Sequence, residues 1–241
     1  MKKISIFGAG RVGESTAQIL ANQELCREVV LVDIADGMAR GTALDIQESA
    51  PLFRFDTEVT GDVDPEAIAG SDLVIITAGV PRKPGMSRSD VLDTNVRVVS
   101  GIVDGVMEHA PDAMILMVTN PVDVLTYMAW KKTGWGRNRV FGLSGVLDAA
   151  RMASFIALET GFSIKDITAM VLGGHGDSMV PMPRFTTING IPIEHLMDRE
   201  AMERIEIRTR NGGAEILALK KTSSANDSPA AAIAVMVDAI G

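Results

Sequence analysis

The fold is decided by Met1–Asp33, MKKISIFGAGRVGESTAQILANQELCREVVLVD. An apolar run at Lys3–Phe7 (KISIF) predicts a buried strand, and it is followed by the glycine-rich sequence GAGRVG. Apolar residues at helical spacing over Glu14–Glu24 then predict a helix, and Glu28–Val32 (EVVLV) predicts a second strand. A strand, a glycine turn, a helix and another strand form a βαβ unit, whose two strands are parallel.

The glycine-rich turn in this setting favours binding of a dinucleotide. Its glycines allow a tight turn and a close approach of pyrophosphate to the free N–H groups at the start of the helix. Asp33 follows the second strand, 20 residues after Gly13, where a carboxylate binds ribose hydroxyls and repels a 2′-phosphate. The sequence therefore predicts NAD rather than NADP as cofactor, although a purely structural glycine turn with a capping Asp is the alternative. The predicted binding residues of this segment are Gly8, Gly10, Arg11, Val12, Gly13 and Asp33.

Apolar runs and amphipathic helical stretches continue to alternate up to about residue 144. Because the runs are apolar throughout, they predict parallel strands covered on both faces, joined by right-handed crossovers. We therefore predict an α/β, doubly wound Rossmann domain over residues 1–144. Residues 145–241 do not continue this alternation. Their pattern indicates long helices, short strands and a hairpin at Asn189–Gly190, and it predicts an α+β domain.

Composition excludes several classes of function. The 241 residues include 23 Lys and Arg against 31 Asp and Glu, a net charge of −8. Such a balance argues against nucleic acid and against an anionic membrane surface as partners. The single cysteine, Cys26, forms no intramolecular disulfide, and no apolar run reaches membrane-spanning length. With no signal-peptide pattern at the N-terminus, we expect a cytoplasmic protein.

A cationic loop follows the predicted strand DLVIIT and reads TAGVPRKPGMSR over residues 77–88. Ligands of open α/β sheets bind beyond the carboxyl ends of the strands, which is where this loop begins. Its Arg82 and Arg88 suit a small anion, because the planar guanidinium binds carboxylates through two hydrogen bonds. A solvated surface loop is the alternative interpretation.

Two further segments carry polar residues suited to chemistry. Asn120 follows directly after the strand MILMVT and can direct its amide to a ligand, although a turn residue before proline is an equally good interpretation. His175 lies in the glycine-rich turn GGHGD, where substrate can approach closely and a carboxylate can orient the imidazole for acid–base work. Asp148, which shares a helix face with Arg151, and Asp177 are both possible orienting partners, and spacing does not choose between them.

The ordered set GAGRVG, VDI, TAGVPRKPGMSR, VTNPVDV, GVLDAARM and GGHGDSMVP resembles the lactate/malate dehydrogenase family, in particular the bacterial malate dehydrogenases built on the lactate-dehydrogenase plan. The resemblance runs from residue 1 to about 221. It implies an NAD-dependent oxidoreductase that interconverts (S)-malate and oxaloacetate by hydride transfer. Two alternatives remain: a lactate-dehydrogenase-like enzyme for 2-hydroxyacids, and an NAD-binding but inactive form.

The resemblance also implies roles for the charged residues. His175 is the general acid/base, and Asp148 holds its ring. Arg151 grips the carboxylate next to the reacting carbon, and Arg88 polarises the carbonyl when its loop closes. Arg82 pairs with the second carboxylate, which favours malate and oxaloacetate over lactate and pyruvate.

The resemblance implies further polar contacts with substrate and cofactor, and it implies no metal ion. Asn120 hydrogen-bonds substrate beside the nicotinamide, while Asn95 and the backbone of Val118, Thr119 and Asn120 contact the cofactor. The implied partner is a small dicarboxylate, and the implied assembly is a homodimer or homotetramer.

The sequence departs from the family pattern in two places. Family members carry aromatic residues after a Gly-Ser-Ala sequence, whereas this chain has Asn226 and Asp227 there, with Ser224 keeping its position at the substrate pocket. The chain stops at Gly241 within a predicted helix, before the strands and final helix of the family. We therefore expect an incomplete substrate domain.

Overall fold

A six-stranded parallel sheet forms the centre of the N-terminal part. A computed structural model of the chain describes residues 1–35, 37–80 and 88–241, and of residues 88–90 the backbone alone. The sheet has the order β3-β2-β1-β4-β5-β6, with every neighbouring pair parallel. This order confirms the predicted doubly wound Rossmann fold. Its strands are β1 (Lys3–Phe7), β2 (Glu28–Val32), β3 (Glu58–Asp62), β4 (Leu73–Ile76), β5 (Met114–Met117) and β6 (Val140–Gly142).

Helices connect these strands and cover the sheet. The central strands β1 and β4 are almost entirely buried, which explains why their sequences are apolar at successive positions rather than alternating. One core cluster joins residues of the sheet, such as Val30 and Ile76, to Val99 and Val103 on the third helix. The helices of this part are α1 (Arg11–Asn22), α2 (Met38–Phe53), α3 (Arg88–His109) and α4 (Val122–Thr133).

The C-terminal part combines long helices with short antiparallel strands. Two small sheets have the orders β11-β10-β7 and β8-β9. The predicted hairpin is confirmed, because Asn189 and Gly190 both have positive φ (48° and 81°) between paired strands. The elements are α5 (Gly145–Thr160), β7 (Ile167–Thr168), β8 (Val171–Gly173), β9 (Met179–Pro181), β10 (Thr187–Ile188), β11 (Ile191–Pro192), α6 (Arg199–Lys220) and α7 (Asp227–Ile240).

The chain divides into two compact units, residues 1–142 with 233–241, and residues 143–232. The sequence predicts one boundary after residue 144, whereas the last nine residues group with the first unit. Ile240 and Gly241 lie beside Met1 and Lys2, at the start of β1. A return of this kind leaves no signal in local periodicity. None of the described helices is long and apolar enough to cross a membrane.

Candidate active site

The glycine-rich turn between β1 and α1 is packed so tightly that a side chain at either of two glycines would clash with neighbouring backbone atoms. Gly8 has φ of 102°, and a Cβ there would lie 2.8 Å from the amide nitrogen of Ala78. A Cβ on Gly13 would lie 1.8 Å from the carbonyl oxygen of Gly8. The turn is thereby held close to the end of β4.

Gly10 is different, because no atom of the described residues explains its lack of a side chain. It is the N-cap of α1, and a Cβ built there has no other described atom within 4 Å apart from its neighbours along the chain. Glycine also offers no side chain that could accept a hydrogen bond from the first amides of the helix. A phosphate group fits this place, because it accepts hydrogen bonds from those amides and favours the positive end of the helix dipole. Arg11 and Val12 are the first two residues of this helix.

Asp33 fixes the glycine-rich turn to the loop after β2. Its Oδ2 accepts a hydrogen bond of 2.9 Å from the amide of Ala9, and its Oδ1 accepts one of 2.9 Å from the amide of Ala35. Each carboxylate oxygen can accept a second hydrogen bond, so ribose hydroxyls can bind without displacing these contacts. The arrangement fits NAD, in agreement with the preference expected from a carboxylate at this position.

Thr77 supports the same turn, a role that the sequence does not predict. Its hydroxyl lies 3.0 Å from the carbonyl oxygen of Phe7 and 3.1 Å from that of Gly8. The available signal is its position, the first residue after β4, where the strand order reverses. Thr77 therefore braces the loop that we expect to meet the pyrophosphate.

Asn95 connects two loops rather than standing open to a ligand. It is 2% exposed, its Oδ1 accepts a hydrogen bond of 2.8 Å from the amide of Val80, and its Nδ2 donates one of 2.8 Å to the carbonyl of Asn120. Its predicted contact with cofactor stays a prediction, and the geometry adds a bracing role. Asn120 itself is exposed. It follows Val118 and Thr119, the two residues after the end of β5.

Val118 and Thr119 are tied into the edge of the sheet. Both amides donate to the carbonyl of Ile76, at 2.9 and 3.1 Å, and the Thr119 hydroxyl lies 2.7 Å from the carbonyl of Ala78. Their N–H groups are therefore engaged by the protein. Any cofactor contact of these two residues must use other backbone atoms.

In the second unit, a buried carboxylate joins an imidazole and a guanidinium. Asp148 has no exposed surface, and its Oδ2 lies 2.9 Å from Nδ1 of His175. Its Oδ1 accepts a hydrogen bond of 3.2 Å from the guanidinium of Arg151. Of the two carboxylates that the sequence offers, Asp148 is thus the one seen to hold the ring through Nδ1.

Local structure explains the position of this group. Asp148 lies in the first turn of α5, where the helix dipole favours a carboxylate. His175 follows β8, whose last residue Gly173 has φ of 81° and turns the chain out of the strand. Helix α5 packs on β8, and this contact brings the carboxylate and the imidazole together.

The electrostatics of the group follow from its burial. A buried carboxylate is stable only when it is paired and hydrogen-bonded, and Asp148 has a partner for each oxygen. Burial lowers the pKa of the Arg151 guanidinium below its ordinary value, while the Asp148 carboxylate acts in the opposite direction. The carboxylate also fixes the imidazole with its proton on Nδ1, so Nε2 is the atom suited to exchange a proton.

Arg151 keeps unused capacity for a ligand. Its side chain is 11% exposed, and its buried Nε has no hydrogen-bond partner among the residues that the structure describes. An unmet buried donor is costly, and a planar carboxylate would satisfy it.

The two predicted arginines of the cationic loop cannot be placed in the same way. Arg82 lies outside the described residues. Arg88 is the first residue of α3, and its side chain is likewise outside the described part. Their implied roles stay predictions.

Fold and site together define a class, the NAD-dependent oxidoreductases. Residues 2–142 match the family described as lactate/malate dehydrogenase, NAD binding domain, and residues 145–241 match its alpha/beta C-terminal domain. The chain belongs to the lactate/malate dehydrogenase family.

Curated relatives and solved structures agree with this membership. The chain is 70% identical over 240 residues to a malate dehydrogenase of Thioalkalivibrio sulfidiphilus, covering 100% of this chain and 78% of the relative. It is 65% identical to a malate dehydrogenase of Nitrosococcus oceani, covering 100% and 77%. The apo malate dehydrogenase of Picrophilus torridus superimposes with a TM-score of 0.96 at 43% identity, over 99% of this chain and 75% of that one. A lactate dehydrogenase of Cryptosporidium parvum, complexed with lactic acid and NAD, gives 0.93 at 38% identity, over 99% and 76%.

Proposed function

We propose that this chain catalyses the reversible oxidation of (S)-malate to oxaloacetate with NAD. The observation that carries the proposal is the buried Asp148 carboxylate, which holds His175 on one oxygen and Arg151 on the other. This group supplies an oriented base beside an anion-binding arginine. The names of the curated relatives, malate dehydrogenases at 70% and 65% identity, support malate as the substrate.

The proton chemistry belongs to His175. Its Nε2 takes the proton of the malate hydroxyl as the carbonyl forms, and it returns a proton in the reverse direction. Asp148 keeps the ring in the required tautomer and stabilises the imidazolium that results. When bound, NAD accepts the hydride from the carbon that carried the hydroxyl. No metal is needed for this proton transfer.

The cofactor is held by the first unit. The open cap at Gly10 suits the pyrophosphate, the start of α1 at Arg11 and Val12 supplies amides, and Asp33 suits the ribose hydroxyls. Asn120 remains our candidate for a contact with substrate beside the nicotinamide. These assignments rest on the geometry of each residue and on the family pattern.

Substrate recognition rests on three arginines. Arg151 binds the carboxylate next to the reacting carbon, Arg82 binds the second carboxylate, and Arg88 polarises the carbonyl oxygen. Two arginine–carboxylate pairs fix the substrate before reaction. Pyruvate lacks the second carboxylate and would leave Arg82 unpaired.

Steady-state oxidation of NADH with oxaloacetate and with pyruvate tests the proposal. We expect a higher kcat/KM with oxaloacetate, and we expect Arg82→Gln to raise the relative rate with pyruvate. An equal or higher kcat/KM with pyruvate in the unmodified chain would support a lactate-dehydrogenase-like enzyme instead. Tight NADH binding without turnover on either substrate would support the inactive, cofactor-binding alternative.

We further propose that the protein works in the cytoplasm, as the malate step of the tricarboxylic acid cycle, and as a homodimer or homotetramer. A single cysteine, buried and free, supports a reducing compartment. Helix α2 exposes Leu44, Leu52 and Phe53, which supports association. Light scattering coupled to size-exclusion chromatography checks the assembly, and a monomeric mass would contradict it.

A further inference from the structure

Helix α6 presents two consecutive glycines to the side chain of Arg151. Gly212 is buried, and a Cβ built on it would lie 3.1 Å from Cδ and 3.4 Å from Nε of Arg151. A Cβ on Gly213 would lie 3.6 Å from the terminal guanidinium nitrogen Nη2, an ordinary contact distance. The first glycine is therefore the one at which any side chain would press on the arginine.

The helix has no reason of its own for glycine at this place. Glycine within a helix is less favourable than alanine by about 1 kcal/mol, because it loses more backbone entropy on folding. Gly212 lies in the interior of a 22-residue helix and does not have positive φ. Its nearest neighbours are all atoms of Arg151.

Arg151 has little freedom to move away from an added methyl group. One terminal nitrogen is held 3.2 Å from Oδ1 of Asp148, and the side chain is 11% exposed. A contact of 3.1 Å at Cδ must be relieved by a few tenths of an ångström, which would turn the guanidinium against this anchor. Its buried Nε, which has no hydrogen-bond partner in the described part of the chain, lies on the same side as Gly212.

We propose that Gly212 is a positioning residue that sets the orientation of Arg151 toward the substrate carboxylate. The inference rests on the proposed function, since it assigns to Arg151 the carboxylate next to the reacting carbon. The missing side chain of Gly212 leaves the space in which the stem of the arginine lies. The direction of its donors is then fixed by α6 on one side and by Asp148 on the other.

The test compares three alanine variants of helical glycines. Gly212→Ala should raise the KM for oxaloacetate about tenfold, because displacements well below 1 Å at a positioned group already reduce rates. It should leave the dissociation constant of NADH unchanged and should not lower Tm. Gly213→Ala, in the same helix, and Gly101→Ala, in α3, are controls expected to stay within about twofold of the parent. A Cβ on Gly101 has no described atom from outside its own helix within 4 Å.

A double-mutant cycle with Arg151→Lys separates positioning from a general effect on the helix. If Gly212 acts through Arg151, the effect of Gly212→Ala should largely disappear once the arginine is replaced. The double variant should then have a kcat/KM no more than about twofold below that of Arg151→Lys alone. An unchanged KM in Gly212→Ala would overturn the inference. So would an equal loss in both backgrounds, or a loss that follows Tm.

Calorimetry of hydroxymalonate binding to the NADH complex supplies a readout that needs no turnover. We expect its dissociation constant to rise in Gly212→Ala by the same factor as KM, and no rise would overturn the inference. If the parent chain binds hydroxymalonate but does not turn over oxaloacetate, the proposed function fails while this comparison still decides the role of Gly212. If the parent binds no hydroxymalonate, the KM comparison decides the role of Gly212, and turnover of oxaloacetate decides the proposed function.

Discussion

Asp148 is the residue on which the chemistry of the second unit depends. Its two oxygens serve different partners, His175 at 2.9 Å and the Arg151 guanidinium at 3.2 Å. Because the carboxylate is fully buried, no water replaces either partner at its surface. The position of the carboxylate is therefore fixed by the protein, which is the condition for holding an imidazole in one tautomer.

Replacement of this carboxylate by its amide tests its role. Asp148→Asn should lower kcat by about 10²–10⁴-fold, because an amide does not stabilise the imidazolium and can select the wrong tautomer. Circular dichroism should show a retained fold. Asp177→Asn, a change at the other carboxylate near the same turn, should cause a much smaller loss, and equal losses would contradict our assignment.

Cys26 gives a prediction about pH at the same scale. Burial raises the pKa of its thiol from 9.0 to about 11. The unfolded chain therefore loses this proton above about pH 9 while the folded chain keeps it, so the free energy of unfolding should fall between pH 9 and pH 11. Denaturant titrations of the parent and of Cys26→Ala should differ in slope over this interval.

The reactivity of the same thiol is the companion measurement. At pH 8 a disulfide reagent should modify Cys26 only as fast as the protein opens, since the folded thiol is protonated and 5% exposed. Rapid modification of the folded protein would contradict the prediction.

At the scale of elements, the contact of α5 with β8 places the acid–base pair. Gly145 is the first residue of α5, and a Cβ there would lie 2.8 Å from the carbonyl oxygen of Val171 in β8. The neighbour is backbone, so it cannot turn aside. The close approach lets a helix that carries Asp148 and a strand that leads to His175 lie side by side.

Addition of one methyl group at this contact should disturb both stability and catalysis. Gly145→Ala should lower the free energy of unfolding by about 1–3 kcal/mol through overpacking and should reduce kcat. Gly41→Ala in α2, where a Cβ has no atom of the described residues within 4 Å outside its own helix, is the control and should be neutral or stabilising by up to about 1 kcal/mol. Unchanged stability of Gly145→Ala in denaturant titration would contradict this account of the packing.

Elements were predictable where the pattern is long and the strand is buried on both faces. The runs KISIF, EVVLV and DLVIIT predict β1, β2 and β4 because a covered parallel strand is apolar at every position. The stretch Asp166–Leu172 also looks like one strand in the sequence, but it contains β7 and the start of β8, which pair in different sheets. Strands of two and three residues are too short to show a period.

For the group of His175, Asp148 and Arg151, the sequence predicts the residues but not the contacts between them. The sequence motifs indicate His175 and two carboxylates, Asp148 and Asp177. Only the folded structure shows that Oδ2 of Asp148 contacts Nδ1 of His175. The bracing by Asn95 and the proximity of Gly212 to Arg151 join positions far apart in sequence. Neither has a local signal, since each depends on the packing of separate helices and loops.

At the scale of the whole molecule, the net charge of −8 bears on the kind of ligand that the chain can bind. In an acidic chain, the arginines that we propose to bind one ligand suit a small anion rather than a polyanion. The first unit holds the Gly10 cap of α1 and the Asp33 carboxylate, and the second, taken by itself, holds the buried acid–base group. Both units match the same family, over residues 2–142 and 145–241.

The most direct test of the central claim is to measure the reduction of oxaloacetate with NADH, catalysed by the parent chain and by His175→Asn. The dissociation constant of NADH is measured for both in parallel. We predict turnover by the parent, a loss of about 10²–10⁴-fold in kcat for the variant, and equal NADH dissociation constants, because the general acid is removed from the second unit alone. Equal kcat values, or NADH binding by the parent without turnover, would contradict the account.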